Sequence, residues 1–70
     1  MTDKQLFLRF WKKVRTRARK VGVDVTTDDL GYYVCWGEMR WLFQFDPDAA
    51  RKGGDEPQVA EAMSRIRASL

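Results

Sequence analysis

The first twenty residues concentrate the positive charge of this chain. They contain eight Lys or Arg residues and one acidic residue, whereas residues 21–70 contain five basic and nine acidic residues. Subtracting acids from bases leaves +7 on the N-terminal segment and −4 on the rest, which together make the net charge of +3. Charge separated in this way attracts a polyanion or an acidic protein surface to one side of a molecule.

The basic residues lie on one face of a predicted helix. From Thr2 to Val21, apolar residues recur at three- and four-residue intervals, which predicts an amphipathic helix with one buried stripe. The spacing of Thr2 and Gln5 predicts a capping box, and Gly22 ends the helix, while Leu8 points away from the stripe. The candidate contacts for nucleic acid or an acidic partner are Arg9, Lys12, Lys13, Arg15, Arg19 and Lys20.

A charged outer face is ordinary for a surface helix, so the basic face alone does not establish a function. This helix, however, has no Asp or Glu after Asp3, and it therefore lacks favourable ion pairs between residues four positions apart. We expect the acidic remainder of the chain or a partner to compensate the repulsion among these cations.

Three strands are predicted in the middle of the chain, at residues 23–27, 32–36 and 39–45. Turns are expected at residues 28–31 and at Gly37-Glu38, where Gly in first position favours a type II′ hairpin. That hairpin opposes Trp36 with Met39, Val34 with Trp41, and Tyr32 with Phe43, and places all six on the core face with Phe45. The reverse face then offers a possible interaction surface at Tyr33, Arg40 and Leu42.

Two helical segments complete the chain. Asp46 caps a short turn of helix that stops at Gly53, and Asp55 caps a longer helix, with Gln58 reaching back to it. The apolar stripe of that helix is Val59, Ala62, Met63, Ile66 and Leu70. We predict a single domain over residues 1–70 of the α+β class: a two-layer arrangement of helix, three-stranded antiparallel meander and helix, with both helices on one face of the sheet.

This order of elements resembles that of the double-stranded RNA-binding domain and of the HicA-type mRNA interferase toxins. The RNA-binding domain carries a Lys-Lys-x-Ala-Lys motif at the start of its second helix, where this chain has the acidic segment Asp55-Glu56-Pro57-Gln58-Val59-Ala60-Glu61. The HicA toxins depend on a histidine, and this sequence has none. The resemblance is limited to the order of elements and assigns no family.

The composition argues against catalysis. Without histidine, the usual general base at neutral pH is missing, and Cys35 has no imidazole to activate it. The acidic pairs Asp28-Asp29 and Asp46 with Asp48 are interpreted as turn and cap residues. We therefore expect a non-enzymatic protein with no cofactor and no metal. A lone cysteine excludes an intrachain disulfide, and with no apolar segment long enough to cross a bilayer we expect a full-length, cytoplasmic protein.

Two classes of function fit these observations. The first is binding of nucleic acid through the basic face of the N-terminal helix, with Tyr33 or Arg40 stacking on an unpaired base. The alternative is a protein-binding adaptor, or a phage-type inhibitor of a host protein, that uses the basic helix or the exposed sheet face, which could also form a homodimer. Attachment to a membrane surface is disfavoured, because the apolar stripe of the helix is needed to cover the sheet.

Overall fold

The computed structural model describes residues 1–28, 30–37 and 39–70, and residues 39 and 40 by their backbone alone. The elements, in chain order, are helix α1 (Asp3–Lys20), strands β1 (Thr26–Asp28), β2 (Tyr33–Trp36) and β3 (Met39–Gln44), and helices α2 (Pro47–Gly53) and α3 (Glu56–Ala68). The strands form an antiparallel sheet in the order β1-β2-β3. The predicted α+β fold is confirmed, with α1 and α3 packed side by side on one face of this sheet.

The start of α1 is set by the predicted capping box. The Thr2 hydroxyl accepts a hydrogen bond from the Gln5 backbone N–H at 3.1 Å, and the Gln5 side chain accepts one from the Thr2 backbone N–H at 2.9 Å. After Lys20, Gly22 adopts a positive φ of 79°, which only glycine adopts at little cost. The prediction for Leu8 was wrong, since this side chain is half-buried and packs against the core.

Aromatic rings join α1 to the sheet. The Phe10 ring stacks on the Phe45 ring with 4.6 Å between centroids, and it also lies 5.6 Å from the Phe43 ring. One turn earlier, Phe7 contacts Phe45 and Tyr32 at centroid distances of 5.9 and 5.4 Å. Such offset ring pairs add to the stabilisation from apolar burial. They fix which side of α1 faces the sheet.

The pairing of β2 with β3 departs from the predicted register. The pair Trp36–Met39 next to the turn is confirmed, but Val34 lies opposite Phe43 rather than Trp41. One residue of β2 separates these two pairs, whereas three residues of β3, 40–42, separate them. The strand therefore contains a bulge, and the two pairs that were predicted beyond Trp36–Met39 are wrong.

The bulge reverses the predicted orientation of two side chains. Leu42, expected on the exposed face, is 3% exposed and belongs to the core, whereas Trp41, expected in the core, is 60% exposed. Leu42 and Phe43 are adjacent and both buried. A regular strand sends adjacent side chains to opposite faces, so only a local irregularity allows this.

Smaller differences concern where the strands begin and end. β1 starts at Thr26 rather than at Val23, because Val23 and Val25 enter the core before the chain pairs with β2. β2 starts at residue 33 and β3 ends at residue 44, each one residue inside its prediction. Asp29 of the first predicted turn, Glu38 of the second, and the side chains of Arg40 and of Met39, which was predicted on the core face, lie outside the described residues.

The predicted cap of α2 is confirmed. The Asp46 carboxylate accepts hydrogen bonds from the backbone N–H groups of Asp48 and Ala49 at 3.0 and 3.2 Å. The helix ends one residue later than predicted, because Gly53 is still helical and Gly54 takes the positive φ of 78°.

The predicted start of α3 is only partly correct. Asp55 occupies the N-cap position, but its side chain makes no capping hydrogen bond. Gln58 does not reach back to Asp55; instead it donates to the carbonyl and accepts from the N–H of Asp46, each at 2.8 Å, and so ties α3 to the start of α2. The predicted stripe of α3 is buried except for Leu70, which is 71% exposed.

The Phe10 ring is the best place to test the junction between α1 and the sheet. Replacing Phe10 by Ala removes a fully buried ring between two others, so we expect the free energy of unfolding to fall by about 3–5 kcal/mol. Leu30→Ala is the control, because Leu30 is 100% exposed and its truncation should change stability by less than about 0.5 kcal/mol. Urea denaturation followed by circular dichroism measures both. A loss below about 1 kcal/mol for Phe10→Ala would show that the junction is not as described.

Candidate binding surfaces

The side of α1 opposite its buried stripe is basic and exposed. The described core positions of α1 are Phe7, Phe10, Val14 and Ala18. At 100° per residue, six exposed positions lie within about 60° of the direction opposite this stripe, namely Gln5, Arg9, Lys12, Thr16, Arg19 and Lys20. Four of them, Arg9, Lys12, Thr16 and Lys20, follow one another at three- and four-residue spacing. We call these four residues the outer face of α1. Three of the six predicted contact residues lie on it.

One flank of α1 is neutralised by the start of α3. The Lys13 ammonium lies 2.7 Å from the Asp55 carboxylate and 3.7 Å from that of Glu56. One turn along, the Arg17 guanidinium contacts Glu56 at 3.0 Å. The Asp55 side chain is only 13% exposed, so its charge requires a close cation. Lys13, predicted as a contact for an external partner, is therefore engaged within the fold.

The other flank of α1 carries the remaining two predicted contact residues. The Arg15 guanidinium carbon lies 4.7 Å from the centre of the Trp11 ring, which is a cation–π geometry. Arg19 lies 3.7 Å from Asp24, and both side chains are mostly exposed, so this ion pair contributes little. The structure thus separates the six predicted residues into an outer face and two flanks.

A shallow concavity runs between the outer face and the α3 flank. It has a volume of about 310 Å³ and is lined by Lys12, Lys13, Thr16, Arg17 and Lys20. The Thr16 hydroxyl donates to the Lys12 carbonyl at 2.9 Å, and Lys13 and Arg17 are paired with carboxylates of α3. Lys12 and Lys20 can donate hydrogen bonds to an anionic oxygen in this depression. Arg17 is not among the predicted contact residues, since periodicity alone does not reveal that α3 packs beside it.

Two arginines outside α1 are used within the fold. Arg51 pairs with Asp3 at the start of α1 and with Asp48 in α2. Its hydrogen bond to Asp3 raises the pKa of Arg51 above the ordinary value, and this contact links α1 to α2. The Arg65 guanidinium donates to the Leu42 carbonyl at 3.1 Å. Both cations contact other elements of the fold, unlike those on the outer face of α1.

The uncovered side of the sheet presents an ordered group of three side chains. The Tyr33 and Trp41 rings contact each other at 5.3 Å between centroids, and the Trp41 indole N–H donates to the Asp28 carboxylate at 3.3 Å. The second oxygen of Asp28 accepts from the Leu30 backbone N–H at 3.1 Å, which is the predicted turn role of this residue. We call Asp28, Tyr33 and Trp41 the Trp41 cluster.

The predicted interaction surface on this face is therefore corrected. Of its three residues, Tyr33 is half-buried beneath Trp41, Leu42 is in the core, and the side chain of Arg40 lies outside the described residues. Trp41 replaces Leu42 as the exposed apolar residue. The signal in the sequence was the run Trp41-Leu42-Phe43, which has no alternation and so left the side of each residue ambiguous.

Two further observations on the described residues concern metal binding and membrane spanning. Among residues 1–28, 30–37 and 39–70, no group of three or more Cys, Asp or Glu side chains is placed to hold a metal ion. In that same part of the chain, no helix combines the length and apolar character needed to span a bilayer. Cys35 lies half-buried on β2.

Comparison with known proteins gives no relative. No protein-family model matches this sequence, and no curated protein or solved structure matches it significantly.

Proposed function

We propose that this chain is a small nucleic-acid-binding protein that contacts phosphates with the outer face of α1. The observation that carries the proposal is that Arg9, Lys12 and Lys20 are exposed along one line of the helix. Among the described residues, no carboxylate lies within 4.0 Å of these three side chains. Cations that the fold does not pair remain available for an external anion.

The length of this row of exposed cations on α1 suits binding to a regular polyanion. Residues 9 and 20 are eleven positions apart, which at about 1.5 Å per residue corresponds to roughly 16 Å along the helix axis. Double-stranded DNA carries a phosphate about every 3.4 Å on each strand, so this length spans roughly five phosphates. Arg19 and the concavity beside Lys12 extend the basic surface on both sides of the line. Phosphate contacts of this kind give affinity without reading a base sequence.

An acidic protein surface is the second candidate partner, and one observation favours it. The α3 flank already holds the carboxylates of Asp55 and Glu56, so α1 is able to bind a carboxylate-bearing surface. Hexaglutamate and an oligonucleotide of equal charge separate the two candidates. Tighter binding of the oligonucleotide supports phosphate recognition, whereas equal or tighter binding of hexaglutamate contradicts it.

Charge reversal on the outer face of α1 tests the proposal directly. In the double variant Lys12→Glu, Lys20→Glu we expect affinity for a labelled 20-base-pair duplex to fall at least about 30-fold, because two phosphate contacts become repulsive. In the unmodified chain, four to five contacts predict a slope of log K against log salt of roughly −4. Fluorescence anisotropy at several salt concentrations measures both.

The matched control for this experiment is Lys52→Glu, Arg67→Glu. It makes the same change in net charge on exposed residues of α2 and α3. We expect it to weaken binding by less than about threefold, since distant charges are screened at physiological salt. Equal loss in both variants would show that net charge, rather than the outer face of α1, governs binding.

The carboxylate of Glu56 should compete with a bound phosphate. It lies 3.0 Å from Arg17 and 3.7 Å from Lys13, both of which line the concavity. Glu56→Gln releases Arg17, whereas Lys13 stays paired with Asp55. We therefore expect about two- to fivefold tighter duplex binding at low salt, since an exposed ion pair is worth up to about 1 kcal/mol. Glu61→Gln removes the same charge from α3 at its pair with Arg65 and serves as the control. Equal tightening in both variants would contradict competition at the concavity.

A further inference from the structure

Trp41 is an exposed aromatic residue held in a defined orientation. Its side chain is 60% exposed, yet its indole N–H is bonded to Asp28 and its ring rests against Tyr33. A side chain that is already oriented loses little rotational freedom when a partner binds. The exposed face of the Trp41 indole is therefore already oriented for binding before a partner arrives.

The bulge in β3 is the reason for this orientation. It buries Leu42 beside Phe43 and turns Trp41 to the opposite side of the sheet. Bulges commonly redirect a side chain next to a functional site. The largest side chain of β3 is thus displayed while a smaller one fills the core.

The chemical groups of the Trp41 cluster favour binding of a cation. The faces of Trp41 and Tyr33 are rich in π electrons, and the Asp28 carboxylate lies at the edge of the indole ring. An arginine guanidinium stacks on an aromatic face and donates in-plane hydrogen bonds to a nearby carboxylate at the same time. We propose that the Trp41 cluster binds an arginine side chain of a partner protein.

Other occupants fit less well. A nucleotide base could stack on Trp41, but its phosphates would then lie near the Asp28 carboxylate and be repelled by it. A second copy packed sheet to sheet is disfavoured by area. Three strands about 4.8 Å apart and about four residues long form a face of roughly 150–200 Å², compared with about 800 Å² per partner in a stable interface. A single side chain from a short segment matches the size of the cluster.

The position of the cluster separates this site from the proposed nucleic-acid surface. Tyr33 alternates with the buried Val34 on β2, so Tyr33 faces away from the helical layer that carries α1. The inference does not depend on what α1 binds, and each surface can be tested while the other stays intact.

The test uses acetylated, amidated hexa-arginine as the probe and two-dimensional amide NMR as the readout. We expect the indole N–H resonance of Trp41 to shift and to saturate during titration. Trp41→Ala should weaken binding about tenfold, Asp28→Asn about three- to fivefold, and Trp41→Phe should keep part of the affinity. The exposure of Trp41 means that these variants should still fold, and their amide spectra report it directly.

Controls assign the effect to the cluster. Asp24→Asn removes the same charge as Asp28→Asn at an exposed position of the loop before β1 and should leave the affinity unchanged. Hexa-arginine that shifts only resonances of α2 and α3, or that binds Trp41→Ala as tightly as the unmodified chain, would overturn the proposal. So would an equal response of the Trp41 indole to oligothymidylate, which would indicate base stacking, or concentration-dependent self-association through Trp41 without any peptide.

Discussion

The stacking of Phe10 on Phe45 is the contact on which the arrangement of this protein depends. It joins the middle of α1 to the residue that follows β3, and the rings of Phe7 and Phe43 extend the contact on both sides. Because these rings fix the rotation of α1 about its own axis, they also determine which residues of α1 face solvent. The basic outer face is therefore a consequence of aromatic packing on the opposite side of the same helix.

Repulsion along α1 has to be compensated by residues outside it, and among the described residues the closest carboxylates lie on one flank. Asp55 and Glu56 are brought to Lys13 and Arg17 because α3 packs beside α1. This contact also explains why Asp55 does not cap its own helix, since its carboxylate is turned towards Lys13 instead of the α3 backbone. The outer face stays uncompensated among the described residues, because nothing packs against a helix on its solvent side.

Local features were predictable where the responsible residues are neighbours in sequence. The capping box of α1 and the Asp46 cap of α2 depend on atoms three residues apart or fewer, and both form as predicted. The register of β3 was not predictable, because Trp41, Leu42 and Phe43 are all suited to a core and only the available space decides which one is excluded. The division of the basic face into paired and unpaired cations likewise needs the position of α3, which no local pattern provides.

The two candidate surfaces favour ligands of opposite charge, and the size of the domain limits the electrostatic effect of one surface on the other. α1 presents cations on one side, and the Trp41 cluster presents aromatic faces and a carboxylate on the other. The molecule measures 16 Å along its shortest axis, about twice the screening length at physiological salt. An anion bound to α1 therefore alters the field at Asp28 only weakly. Within residues 1–28, 30–37 and 39–70, the helices lie on the opposite side of the sheet from the Trp41 cluster, so that face is open to a partner.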